Sequence, residues 1–214
     1  MKKITIITGH YGSGKSEFSI NLALNKKVDM LIDLDIVNPY FRSRELMPLL
    51  KENNIELVSS SLENSLGSDL PFISKDAFLP FSNNNIKAIY DLGGDNVGAK
   101  LLKQFNITQE DVDFLLCINI YRERSQTAEQ IFNLIKEIET SSGVKVTGLI
   151  NNSNFLRDTT FDDIKLGEEE IKKLYNTTNL KIKYTGVYEN INLQNHDFEG
   201  ELIPLKLYLR KKWL

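Results

Sequence analysis

The chain is almost without cysteine. Cys117 is the only one in 214 residues, so no intrachain disulfide can form, and the composition fits a reducing compartment. It lies in the run Phe114-Leu-Leu-Cys-Ile118, which reads as buried strand and not as the setting of a catalytic thiol. Two histidines complete a poor set of ligands for a soft metal. No apolar run approaches the ~18 residues of a membrane span. Met1-Lys-Lys leads straight into an apolar stretch without the pattern of a secretory signal, so a cytoplasmic location is expected. An excess of one charge is missing too. Twenty-six Lys and Arg face 29 Asp and Glu, a net charge of −3, and general nucleic-acid binding is not expected. Repeats and low-complexity tracts are absent. The length fits one domain, with room for an insertion.

What is present begins at residue 4. Ile-Thr-Ile-Ile-Thr-Gly-His-Tyr-Gly-Ser-Gly-Lys-Ser, residues 4–16, contains G-x-x-x-x-G-K-[ST], the phosphate-binding P-loop. The apolar Ile4 to Ile7 reads as a strand and Ser16 to Leu24 as a helix, the context the motif requires. Gly9, Gly12 and Gly14 allow backbone angles that turn successive N–H groups inward around a phosphate. The following helix N-terminus adds partial positive charge. Gly9, His10, Tyr11, Gly12, Ser13, Gly14, Lys15, Ser16 and Glu17 are therefore candidate nucleotide contacts. Lys15 is placed to reach β- and γ-phosphate oxygens, and the Ser16 hydroxyl to bind Mg²⁺, a hard ion that prefers oxygen.

Two later strands end in acids. Val28 to Asp35 reads as a strand carrying Asp33 and Asp35, two apart and so on one face. Carboxyl ends of strands are where α/β sheets bind ligands. One of these acids is expected to serve Mg²⁺ or its waters and one to orient an attacking water; which does which stays open. Ile86 to Asp91, followed by Leu92-Gly93-Gly94, has the D-x-x-G form of a switch loop. Asp91 is expected to hold Mg²⁺, and Gly93 or Gly94 to offer an N–H to a γ-phosphate and to move when it leaves. The strand Val146 to Asn152 ends in Asn151 and Asn152, whose amides both donate and accept and so suit a base.

Between these motifs strands alternate with helices, which predicts a mostly parallel, doubly wound α/β sheet. Helices are expected over Ser43 to Lys51, Asn96 to Phe105, Arg124 to Ser141 with Gly143 behind it, Glu168 to Tyr175, and Leu205 to Trp213. Ile55 to Val58 and Asp113 to Ile118 read as strands, and Lys181 to Tyr188 as the last one. Tyr40 and Phe41 are either core anchors or a partner surface; Arg42 and Arg44 either bind a phosphate or carboxylate or lie solvated. Residues 59–85, rich in Ser and Asn, are where a specificity-bearing insertion is expected, with one short helix near Ser74 to Phe81.

The order of motifs, P-loop first, then Asp33-Leu-Asp35, then Asp91, resembles the SIMIBI class of P-loop NTPases and within it the MinD/ParA/CobQ/CobB-like nucleotide-binding proteins. The match lies in residues 4–24, 28–44, 86–98 and 146–152. The resemblance implies a P-loop NTPase fold and assigns Mg²⁺ and the hydrolytic water to Asp33 and Asp35. It assigns base contact to Asn151 or Asn152. It differs at His10, where MinD and ParA carry a second lysine that acts across a nucleotide-sandwiched dimer. A guanine site usually presents N-K-x-D; Asn151-Asn-Ser-Asn154 has neither the Lys nor the final Asp, so ATP is expected. The leading expectation is a Mg-dependent, slow ATPase acting as a switch or assembly factor for a protein partner, with a homodimer left open. The alternatives are a small-molecule kinase or ATP-dependent ligase, and a nucleotide-binding regulator that does not turn over.

Overall fold

Short apolar runs buried on both sides can pair only in a sheet that is covered on both faces. In the computed structural model, which describes residues 1–35, 43–59, 73–94, 96–191 and 197–209, such a sheet forms. Its strands are β1 (Ile4–Thr8), β2 (Met30–Leu34), β3 (Glu56–Ser59), β4 (Ala88–Leu92), β5 (Val112–Ile118), β6 (Gly148–Asn151), β7 (Ile182–Tyr188) and β8 (Glu201–Leu205). They lie in the order β3-β2-β4-β1-β5-β6-β7-β8, and every pairing is parallel. The helices are α1 (Lys15–Lys26), α2 (Ser43–Glu52), α3 (Leu79–Ser82), α4 (Asn96–Leu101), α5 (Ala128–Ser142), α6 (Phe161–Lys172) and α7 (Tyr175–Thr178). None of the described helices is long and apolar enough to cross a membrane.

Strand alternation divides the core. Ile6, Ile32, Tyr90 and Phe114 face the side closed by Leu101 and by Ile131, Leu134, Ile135 and Ile138 of α5. Ile7, Leu31, Ile89 and Leu115 face the other side, closed by Phe18 and Leu22 of α1 and by Leu46 and Leu50 of α2. The P-loop strand β1 is thereby held between β4 and β5, and its register sets Ile7 beside Asp91.

Four elements differ from expectation. β7 is not the last strand: β8 pairs beside it at the sheet edge, where Pro204 is tolerated because an edge strand has no second neighbour to bond. The helix expected over Leu205 to Trp213 does not start, since Leu205 ends β8 and 206–209 are not helical; the rest of that span lies outside the described residues. Residues after Leu205 instead dock on α1. The Lys206 backbone exchanges hydrogen bonds of 2.9 and 3.0 Å with the Asn21 amide, and the Glu17 carboxylate accepts from the N–H groups of Tyr208 and Leu209. Finally, α5 starts at Ala128, not at Arg124, which sits at φ +66°; Thr127 caps the helix by accepting from the Gln130 N–H. Gly143 ends it at φ +76° as expected. In α6, a Thr160–Asp163 capping box starts the helix well before Glu168.

Of the 59–85 stretch, 60–72 lie outside the described residues. Its later part packs inward: the Tyr90 hydroxyl donates to the Ala77 carbonyl at 2.7 Å, Phe78 stacks on Phe105, and Phe81 packs against the same ring at a tilt. Pro39 to Arg42 also lie outside the described residues, as does the Arg44 side chain.

Candidate functional site

The turn from β1 into α1 has the form its sequence demands. Gly12 and Gly14 take φ +79° and +82°, left-handed values that a Cβ resists. The Ser13 N–H closes a tight turn on the His10 carbonyl at 3.0 Å. Among the described residues, no acceptor meets the N–H groups of Tyr11, Gly12 or Gly14. The loop lies directly on β5, where a Cβ at Gly9 would stand 2.4 Å from the Cys117 carbonyl oxygen. It rests on β6 as well, since Asn152 Nδ2 donates to the Ser13 carbonyl at 2.8 Å.

Three carboxylates and one ammonium meet beside this loop. Lys15 Nζ pairs with Asp35 Oδ2 at 2.6 Å, both side chains being buried. Asp33 Oδ1 accepts the Asp35 backbone N–H at 3.0 Å. Because β2 pairs with β4, Asp33 stands directly opposite Asp91, which is fully buried. The Ser16 and Ser19 hydroxyls lie against the Asp91 carboxylate, Ser19 at 3.5 Å, while Asp91 Oδ2 has no hydrogen-bond partner. Three negative charges against one positive charge, away from water, favour proton uptake. Burial, then the charge of Asp91, pushes Asp33 up to about 8; burial raises Asp91 to about 6 despite Lys15. Burial alone would lower Lys15, but Asp91 and Asp35 outweigh it and hold its pKa above the ordinary value.

This corner fits a small hard cation. Its donors are oxygens, one of them buried and unpartnered, and its acids carry more negative charge than Lys15 offsets. Among the described residues no three acids, histidines or cysteines make a closed metal cage. Mg²⁺ does not need one, because it keeps waters and takes ligands from phosphate. Of the expected Mg²⁺ residues, Ser16 and Asp91 touch, whereas Asp35 is engaged by Lys15.

The remaining candidates separate. Gly93 is buried and its carbonyl accepts from Thr8 Oγ1 at 3.4 Å. Gly94 lies on the P-loop itself, a Cβ there falling 1.7 Å from the Gly9 carbonyl oxygen. Tyr11 projects into solvent, 75 % exposed. His10 is half-buried, and burial followed by the charge of Arg124 lowers its pKa, so the imidazole is neutral at physiological pH. Glu17 faces away from the loop, towards Tyr208 and Leu209. The Asn151 amide is engaged on both sides, donating to the Ile164 carbonyl at 2.9 Å and accepting the Ser153 N–H at 3.1 Å. Asn152 keeps a buried Oδ1 without a partner. Cys117 is inert: burial pushes its thiol up to about 12, and it points at the Ser13 carbonyl.

Sequence reasoning overlooked Ser19 and Arg122. Ser19 was open to discovery, since it lies one helical turn after Ser16 and so shares its face. Arg122, in the loop after β5, places Nε 3.2 Å from the Gly12 carbonyl oxygen. The available signal was an arginine shortly after a strand that neighbours the P-loop strand.

No family model matches the chain, and no curated protein matches it. Solved structures do. The cell division protein FtsY of Thermotoga maritima superposes with a TM-score of 0.54 at 17 % identity, covering 86 % of this chain and 61 % of that one. FtsY of Mycoplasma mycoides gives 0.51 at 20 %, covering 87 % and 61 %. FlhF complexed with GTP and Mg²⁺ gives 0.50 at 13 %, covering 85 % and 64 %. The chain thus spans less than two thirds of the length of each. At such identities the likeness speaks for architecture alone: this chain has the α/β fold of a P-loop NTPase.

Proposed function

We propose that the chain is a single nucleotide-binding domain that takes Mg-ATP, hydrolyses it slowly, and works in the cytoplasm as a switch or assembly factor for a protein partner. The observation that carries this reading is the Lys15–Asp35 ion pair beside Asp33 and Asp91, at the foot of a loop whose N–H groups lack acceptors. Lys15 exchanges Asp35 for phosphate oxygens. The backbone of residues 9–14 cradles the phosphates. Ser16, Asp91 and Asp35 would hold Mg²⁺, and the ion would supply charge to offset that of the transferring phosphoryl group. Asp33 or the released Asp35 orients water. Gly93 and Gly94, packed against Thr8 and Gly9, register the γ-phosphate. The finer kinship with MinD/ParA/CobQ/CobB-like proteins, and a homodimer with it, belong to this proposal, as does the 59–85 stretch as the surface that sets specificity.

Adenine is preferred to guanine because the end of β6 runs Asn151-Asn-Ser-Asn154, with no lysine and no carboxylate to pair with a guanine. Between the two asparagines, Asn152 is the one with hydrogen-bonding capacity left for a base.

Calorimetric titration tests the core of this reading. Lys15→Ala should weaken Mg-ATP by tenfold or more, since a hydrogen bond to a charged group is worth about 1.5–3 kcal/mol. Wild-type affinity in the folded variant would sink the assignment. In competition for a fluorescent analogue, ATP should displace better than GTP; a GTP preference of about tenfold, 1.4 kcal/mol, would overturn the adenine assignment.

A kinase or ligase is the second reading. It is favoured by a polar depression of about 490 Å³ lined by Glu123, Arg124, Gln126, Gln130, Asn133 and Glu137. Three of its lining residues, Arg124, Glu123 and Glu137, act electrostatically on His10 of the P-loop. Steady ATP consumption without an added acceptor favours the first reading, and consumption only with one favours the second.

A further inference from the structure

We propose that Arg122 is a positioning residue for the phosphate loop, bracing it from outside through a chain of hydrogen bonds that ends at the Tyr11 N–H. The inference rests on the reading that residues 9–16 bind a nucleotide's phosphates, and it adds a residue that neither the P-loop motif nor the acids call for.

The chain of bonds runs through peptide units. Arg122 Nε donates to the Gly12 carbonyl at 3.2 Å. That carbonyl shares its peptide with the Ser13 N–H, which donates to the His10 carbonyl at 3.0 Å. The His10 carbonyl in turn shares its peptide with the Tyr11 N–H, which has no acceptor among the described residues. Hydrogen bonds in series polarise one another, and a cationic donor at the head of the series strengthens each later one. The free N–H at the end becomes a better donor to an anion. The Arg122 side chain also lies over this face of Gly12, its Cδ in van der Waals range, 3.5 Å, of the position a Cβ would take.

Arg122 is itself held in place. Its N–H donates to the Asn119 carbonyl at 3.1 Å, and the buried Ser125 hydroxyl ties the same carbonyl at 2.8 Å. Asn119 is buried; its Nδ2 donates to the Asn154 carbonyl at 3.2 Å and its Oδ1 accepts the Tyr121 N–H at 3.0 Å. Tyr121 packs against Phe155, the rings tilted by 36° with centroids 4.1 Å apart. The loops after β5 and β6 are thus locked together beneath the arginine. Among the described residues, no carboxylate pairs with the Arg122 guanidinium. A solvated arginine would need no such support.

The test uses Arg122→Ala and Arg122→Lys in the full chain, with Mg-ATP, Mg-ADP and AMP as probes, alongside amide exchange of the nucleotide-free protein. Gly12, Ser13 and Gly14 surround the β-phosphate position. Arg122→Ala should therefore weaken ATP and ADP alike, by about tenfold, and leave AMP within about twofold. Arg122→Lys, which can still donate to the Gly12 carbonyl, should recover most of the loss. In the nucleotide-free protein, exchange at the Ser13 N–H should rise by about tenfold in Arg122→Ala while Ile20 and Leu22 in α1 stay protected. Wild-type ADP affinity together with unchanged Ser13 exchange would overturn the proposal. So would an equal loss for AMP, which would mark general damage. If the wild type binds none of the three probes but Ser13 exchange still responds, the bracing stands and the nucleotide reading fails.

Discussion

Asp35→Ala lowers Mg-ATP hydrolysis by about 100-fold or more, the upper range for a group that handles a proton or positions water. Mg-ATP affinity stays within about fivefold, because a lost contact outside the phosphate cradle is worth roughly 1 kcal/mol. A residue that acts only in the transition state shows this split between turnover and binding. The ion pair adds a sharper expectation. Lys15 is held by Asp35 at 2.6 Å, so phosphate oxygens must displace that carboxylate before Lys15 can serve them. With Mg²⁺ chelated by EDTA, the variant should bind ATP more tightly than the wild type, since its lysine starts free of that partner. The ammonium is not left without compensation, because Asp91, which also raises its pKa, remains. Single-turnover hydrolysis and titrations with and without EDTA check all three points. Unchanged hydrolysis would make Asp35 structural and transfer the role to Asp33. Affinity that collapses with turnover would make it chiefly a Mg²⁺ ligand.

Gly94→Ala should be as damaging to turnover, for a steric reason. The added Cβ would lie 1.7 Å from the Gly9 carbonyl oxygen and 2.5 Å from its carbon. Both are backbone atoms of the P-loop and cannot rotate aside, so the loop after β4 must withdraw. The pairing of β4 with β1 and β2 ends before residue 94 and should survive. Overpacking of this kind costs about 1–3 kcal/mol of stability. The expected outcome is a folded protein with a lower melting temperature and hydrolysis reduced by about 100-fold, because a 1 Å misplacement of a reacting site can cost that much. Circular dichroism and hydrolysis rates measure the two effects; a variant that turns over at the wild-type rate would remove Gly94 from the switch.

What the sequence made legible was what chemistry fixes over short distances. The glycines, Lys15 and Ser16 must follow one another closely to build a phosphate loop, and Asp33 and Asp91 announce themselves by ending apolar strands. What it left open depends on register and on loop paths. Nothing local sets Asp33 opposite Asp91; that follows from the pairing of β2 with β4. Asn151 and Asn152 are adjacent and so point to opposite sides of β6. Only the fold determines that the first bonds α6 while the second supports Ser13. β8 escaped notice because Glu-Leu-Ile-Pro-Leu carries a proline that argues against a central strand and is silent about an edge. Arg122 escaped because an irregular loop brings it to Gly12. The order of motifs suggested MinD-like proteins, whereas FtsY and FlhF superpose, at identities that speak only for the shared sheet.

The clasp between α1 and the segment after β8 has a consequence for how the molecule is assembled. Asn21 and Glu17 find their partners 185 to 192 residues further along the chain. Contacts that span so much sequence carry a large loop-closure cost and form late. A folding chain can therefore assemble its phosphate loop and its acids while one flank of the loop's own helix is still bare. Asn21 and Glu17 stay hydrated until the segment after β8 docks, so the outer flank of the phosphate-loop helix is covered only through contacts made far along the chain.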